Sequence, residues 1–184
     1  VDAVVMAGGL GTRLDADREK PLVRVGGRPM VDRVIDALRV SGVERVYAAT
    51  SPHAPATREH VSVPAIETPG EGYVADLEAV LTDDRIDRPV LTVVADLPLL
   101  APDAVDDVLA AHETGSLTVA VPAGLKERLG VSADTTFDRT GREVAPAGLN
   151  VVGDGPDRTL VVEDPRLAVN VNRPGDLTVA RNRA

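Results

Sequence analysis

The stretch Val4-Val-Met-Ala-Gly-Gly-Leu-Gly-Thr-Arg-Leu14, followed by Glu19-Lys-Pro-Leu22, decides how the chain is read. Residues Ala3 to Ala7 are short, apolar and rich in β-branched side chains, and glycines follow at once. That is the pattern of a buried central strand ending in a turn. Gly8, Gly9 and Gly11 leave the turn almost bare, so the backbone can take positive φ, approach a ligand closely and aim successive N–H groups at an anion. Phosphate is the expected guest.

Two familiar phosphate loops do not fit. One needs a lysine directly after its last glycine, whereas here Arg13 and Lys20 come later. The dinucleotide fingerprint needs a third glycine for close helix packing and an acid at the end of the next strand, but Arg13-Leu14 and Thr50 stand there instead. A glycine turn carrying Arg13 and a Lys20-Pro21 pair remains.

At 184 residues the chain suits one domain, residues 1–184, able to bury roughly 70% of its unfolded surface. Cysteine is absent, which excludes a disulfide framework, a thiol nucleophile and thiolate zinc sites, and fits a reducing cytoplasm. No apolar run approaches the roughly 20 residues of a membrane span, and no basic leader precedes the first strand, so a cytoplasmic protein is expected. A net charge of −9 argues against a nucleic-acid partner. Lysine occurs only at Lys20 and Lys126, and such an acidic, lysine-poor surface suits a salt-rich cytoplasm.

Helix, strand and turn signals alternate along the rest. Met30, Val31, Val34, Ile35 and Leu38 share one face of a helix from Pro29 to about Val40, with Gly42 ending it. A second strand over Arg45 to Thr50 completes a βαβ unit, the mark of a parallel sheet. Further strands are expected over Val61–Glu67, Pro89–Ala95 and Ser116–Val121, and a short one over Leu160–Glu163. Helices are expected over Val74–Leu81, Pro102–His112, Ala123–Leu129 and after Arg173. Val144 to Val152 is strand-like, but Pro146 and Gly148 predict an edge or a bend there, and such an edge would suit a homodimer. Asp134 to Arg142 reads as an exposed hairpin or loop. The result is α/β: one doubly wound, mostly parallel sheet with helices on both faces.

Three places outside the glycine turn fall where ligands bind in such sheets. Thr50-Ser51 lies beyond a strand's carboxyl end, Gly70 and Gly72 precede a helix, and Asp96 follows the most apolar strand. Each also has a plain reading as a turn or cap. Asn170 and Asn172 alternate with Val169 and Val171, so the two asparagines share a face.

The segments Ala7–Leu14 and Glu19–Leu22 resemble the opening of nucleotidyltransferases with a Rossmann-like, GT-A-like fold. Ala49-Thr-Ser-Pro52, Gly70-Glu-Gly-Tyr-Val-Ala-Asp-Leu77, Pro146-Ala-Gly-Leu-Asn-Val-Val152 and Val169-Asn-Val-Asn-Arg-Pro-Gly-Asp-Leu177 are similar to the archaeal GTP:adenosylcobinamide-phosphate guanylyltransferase family of cobalamin synthesis. The resemblance implies transfer of GMP from GTP to a corrinoid phosphate, with Mg²⁺ as cofactor. It also implies that Ala7, Gly8, Gly9, Leu10, Gly11 and Thr12 cradle the nucleotide phosphates, that Arg13 holds the departing pyrophosphate and that Lys20 stabilises charge at the α-phosphate. Asp96 would hold the metal together with Asn172, or Asn170, from a last strand. Thr50, Ser51, Gly70, Gly72 and Tyr73 would contact guanine and ribose, and Asp76 would either face the site or support its helix. His53, His60 and His112 are read as solvated. Two other readings stay open: a molybdenum-cofactor guanylyltransferase or related enzyme, and a regulatory module that binds a nucleotide without chemistry.

Overall fold

The computed structural model describes residues 1–9, 11–14 and 16–184. The chain opens with β1 (Asp2–Met6), the glycine loop and two 3-10 turns at Thr12–Leu14 and Lys20–Leu22. A small hairpin of β2 (Arg24–Val25) and β3 (Arg28–Pro29) leads into α1 (Met30–Val40), then β4 (Val46–Thr50), α2 (Pro55–His60), β5 (Ala65–Glu67) and α3 (Tyr73–Leu81). There follow β6 (Val90–Val94), α4 (Pro102–Ala111), β7 (Ser116–Pro122), α5 (Ala123–Leu129), β8 (Phe137–Arg139), β9 (Arg142–Val152), β10 (Asp157–Val161), α6 (Pro165–Ala168) and α7 (Pro174–Arg183).

The main sheet runs β10-β7-β9-β6-β1-β4-β5, with β8 added beside β9. β1 pairs in parallel with β4 on one side and β6 on the other, and only β9 among the long strands runs against its neighbours. The chain winds outward from β1 to β5 and then returns to β6, so the crevice where the winding reverses lies above the carboxyl ends of β1 and β6. The register Met6↔Val94 sets the residues that follow, the glycine loop and Asp96, side by side.

Alternation sorts the strands into faces. Ala3, Val5, Leu91, Val93, Ala145, Ala147, Leu149 and Val151 point into one buried cluster with Val31, Val34, Ile35 and Leu38 of α1 and Val105 and Val108 of α4. On the other face Val4, Tyr47, Ile66 and Val90 pack with Val80 of α3. That second layer reaches β9 only at its last residue, Val152; earlier in the strand Pro146 is exposed and Gly148 and Asn150 are half-buried. The uncovered part becomes the floor of a cleft.

The structure corrects the sequence reading in several places. β9 lies inside the sheet, while the sheet ends are β5 and β10, so Pro146 is not on an edge strand as expected. Its tolerance has a local cause: the ladder to β6 reaches only Leu149, and the ladder to β8 begins at Val144. Pro146 and Gly148 fall in the gap between them, and a bulge between Thr118 and Ala120 bends the β7 side. The expected bend is therefore present. Gly148 has φ +80°, and a Cβ there would collide with Val94. Residues 169–172 form no strand, Pro29 precedes the first turn of α1 instead of beginning it, and the short helices α2 and α6 have no counterpart in the expected elements.

Candidate active site

The glycine loop forms one wall of a cleft of about 390 Å³ lined also by Lys20, Gly70, Gly72, Tyr73, Asp76, Asp96 and Asn172. Ala7, Gly8, Gly9, Gly11, Thr12 and Arg13 all line it, whereas Leu10 lies outside the described residues. Among the described residues no protein acceptor meets the amides of Gly8, Gly9 or Gly11. Gly11 has φ +63°, and a Cβ on it would stand 2.5 Å from Cβ of Lys20. Glycine is required there both for the turn and for the approach of the lysine stem.

Lys20 reaches across the cleft floor. Its ammonium donates to Asp96 Oδ2 and, at 2.9 Å, to Asn172 Oδ1. The two charged side chains are only 15% and 17% exposed, so the pair is largely out of water. The other carboxylate oxygen of Asp96 is buried without a partner among the described residues. The lysine expected at the α-phosphate and the acid expected to hold the metal are in direct contact.

Two hard oxygens, Asp96 Oδ2 and Asn172 Oδ1, thus converge on the ammonium, where another cation would find them, and Asp96 Oδ1 is left over. A buried oxygen with no protein donor is costly unless something positive meets it. Mg²⁺ accepts one carboxylate and one amide oxygen, completing an octahedron with waters and substrate phosphates, so this donor set fits it. Of the two asparagines, Asn170 is engaged elsewhere: Oδ1 accepts from Lys126 at 2.9 Å, and Nδ2 donates to Ala147 O at 2.9 Å, in the gap beside β9. Asn172 is the one that faces Asp96. Asp176 at the start of α7 accepts from the amides of Asn172 and Arg173 and from Ser132, which fixes this segment.

Thr50 and Ser51 do not reach the cleft. Both are buried behind the loop, where Ser51 Oγ donates to Gly8 O at 2.6 Å and Thr50 O accepts from the amide of Thr68. They support the glycine turn. Asp76, in contrast, both lines the cleft and accepts from the amide of Gly70 at 2.7 Å, which ties the Gly70–Gly72 turn to α3. Tyr73 overhangs the cleft at 43% exposure. Arg13 lines the cleft, yet its guanidinium pairs with Asp134, which also holds Arg173. His53 and His112 lie outside the lining, and His60 meets Asp32 at the surface.

Two contributions were not foreseen. Glu19, adjacent to Lys20, accepts from the amides of Ala56 and Thr57 and from the Thr57 hydroxyl, so it caps α2 and anchors the lysine turn. Its place directly before Lys20-Pro21 is the only hint in the sequence. Lys126 is 3% exposed, donates to Ala168 O and Asn170 Oδ1, and lines a second lobe of about 460 Å³ that shares Arg13, Tyr73, Asp96 and Asn172 with the first. Burial holds its pKa below the usual lysine range, against the pull of Asp176, Asp96 and Asp134. Its rarity was visible in the sequence; its position was not.

The model of the MobA-like NTP transferase domain matches residues 3–174. The adenosylcobinamide-phosphate guanylyltransferase of Methanocaldococcus jannaschii is 30% identical, over 98% of this chain and 95% of that protein. Among solved structures, a hypothetical transferase from Thermus thermophilus superposes with a TM-score of 0.72 at 21% identity, covering 96% of this chain and 98% of its own. A CMP:2-keto-3-deoxy-manno-octonic acid synthetase complexed with CTP superposes at 0.69 and 17% identity, covering 99% and 97%. The two structures share the fold.

Proposed function

The chain belongs to the family of MobA-like NTP transferase domains, and from that premise we propose that it transfers GMP from GTP to adenosylcobinamide phosphate. The products are adenosylcobinamide-GDP and pyrophosphate, a step of cobalamin biosynthesis. The near full-length relative in Methanocaldococcus jannaschii carries that activity in its name. The observation that carries the reading to this chain is the meeting of Lys20, Asp96 and Asn172 beside the glycine loop.

The chemistry follows from those groups. The free amides of the loop bind the triphosphate oxygens, and Arg13, already at the rim, takes charge of the pyrophosphate end. An oxygen of the acceptor phosphate attacks the α-phosphorus in line; the bond from that phosphorus to the bridging oxygen breaks, and pyrophosphate leaves with the electron pair. The attacking oxygen is already anionic, so no general base or protein nucleophile is needed, and positioning with charge neutralisation supplies the rate. The Lys20 ammonium sits where charge gathers on the α-phosphate. Asp96 and Asn172 would hold Mg²⁺, whose contribution when bound is to neutralise the phosphate oxygens. Gly70, Gly72 and Tyr73 are assigned to the guanine and ribose. The absence of cysteine and the acidic surface support a cytoplasmic setting.

Incubation of the protein with GTP, Mg²⁺ and adenosylcobinamide phosphate is expected to release one pyrophosphate per adenosylcobinamide-GDP formed. Turnover only with molybdopterin would reject the corrinoid acceptor. Tight GTP binding with no pyrophosphate from any acceptor would reject the enzyme altogether.

A further inference from the structure

The second lobe holds a feature that nucleotide binding does not use. An ammonium carries three donors, and Lys126 spends two of them on neutral oxygens, Ala168 O at 2.8 Å and Asn170 Oδ1 at 2.9 Å. Among the described residues no carboxylate lies within ion-pair distance of it. A charge buried to this degree is expensive unless it is paired, yet Lys126 hydrogen-bonds only to neutral oxygens, and Asp176, Asp96 and Asp134 act on it from beyond ion-pair distance. It lines a cavity that shares Asp96 and Asn172 with the glycine-loop cleft but none of the loop's glycines.

We propose that Lys126 binds the phosphate group of the acceptor, in the lobe floored by Gly148 and Asn150 of β9 and walled by Asn170. The inference rests on the transferase reading above, which requires two phosphates to meet at Asp96. One lobe takes the triphosphate, and the other must bring a second anion to within reach of the α-phosphorus. Lys126 supplies the positive charge on that side. A lobe of about 460 Å³ suits a drug-sized group. A corrin macrocycle does not fit it, so the phosphate and its linking arm enter while the ring stays outside. The segment carrying Ser132, Asp134 and Thr135 forms the rim over which the arm would pass.

The test measures binding of adenosylcobinamide phosphate and of dephosphorylated adenosylcobinamide to the wild type, Lys126→Gln and Asn150→Asp, by calorimetry without GTP. The wild type is expected to prefer the phosphorylated form, and Lys126→Gln to reduce that preference roughly 10- to 100-fold, the scale of one charge-assisted hydrogen bond. Asn150→Asp puts a like charge in the lobe without touching the bonds of Lys126 and is expected to weaken the phosphorylated ligand in the same direction. In turnover, both variants should raise KM for the acceptor while KM for GTP stays within about twofold, a split that loss of fold alone would not produce. An unchanged preference in Lys126→Gln overturns the proposal; should that variant fail to fold, an unchanged preference in Asn150→Asp does so. The binding preference does not depend on catalysis. Failure of the wild type to turn over any acceptor would count against the transferase reading, while the preference would still decide the role of Lys126.

Discussion

Gly11 and Lys20 are bound to one another by geometry. With φ at +63° and the lysine stem 2.5 Å from where a Cβ would stand, Gly11→Ala must distort the turn, the lysine or both. The left-handed conformation alone costs an L-residue about 1–2 kcal/mol. Thermal unfolding should show a modest loss of stability, and pyrophosphate release a much larger loss of turnover. Lys20→Ala is expected to lower kcat roughly a hundred- to thousandfold, as removal of a transition-state charge partner does, with GTP affinity reduced less; unchanged turnover would exclude Lys20 from the chemistry. The same substitution has a second consequence, because the ammonium occupies the oxygens of Asp96 and Asn172 that would hold a divalent cation. Without nucleotide, Lys20→Ala should bind Mn²⁺ more tightly than the wild type in a paramagnetic titration. Weaker binding would show that Lys20 assists the metal instead of competing with it.

The lysine turn and the short helix α2 behave as one element. α2 has no side-chain cap of its own; Glu19, 37 and 38 positions earlier in the chain, supplies it through Ala56 and Thr57. Burial alone would raise the Glu19 carboxyl, but the Thr57 hydroxyl and the two amides outweigh it and hold its pKa below the ordinary 4.5. A depressed carboxylate stabilises the fold above its unfolded value and loses that contribution as pH falls through its folded value. Glu19→Gln should therefore cost about 1 kcal/mol at neutral pH, on the scale of a helix cap. The difference from wild type should fade below pH 4.5. Denaturant unfolding at pH 7 and in the acid range measures it, and a difference that grows on acidification would contradict the cap.

Across the whole molecule, 29 acidic residues face 20 basic ones, so unlike pairs such as Arg88 with Asp154 and Arg158 with Glu113 leave a net repulsion of −9. Exposed pairs of this kind contribute little each. Screening at about 1 M salt, where the Debye length shrinks to about 3 Å, should then raise Tm relative to dilute buffer. A fall would mean that the surface pairs outweigh the repulsion. At this scale too, part of the sheet is left uncovered where the proposed acceptor would enter: the layer of α3 meets β9 only at Val152, and polar Asn150 and small Gly148 are half-buried beyond it.

Much of this was legible in the residues themselves. Glycines before Arg13, a lysine before a proline and an acid after an apolar strand point to a parallel α/β sheet with a cleft at its glycine turn, and the sheet and the cleft are both there. The alternation of Asn170 and Asn172 with buried valines was equally local. Other features depend on partners distant in the chain and could not be read this way. The direction of β9 between two neighbours, the gap that excuses Pro146, the retreat of Thr50 and Ser51 behind the loop and the burial of Lys126 beside Asn170 all arise from long-range pairing. Local patterns are written in φ, size and polarity over a few residues; a buried charge acquires its meaning only when the fold decides which oxygens surround it.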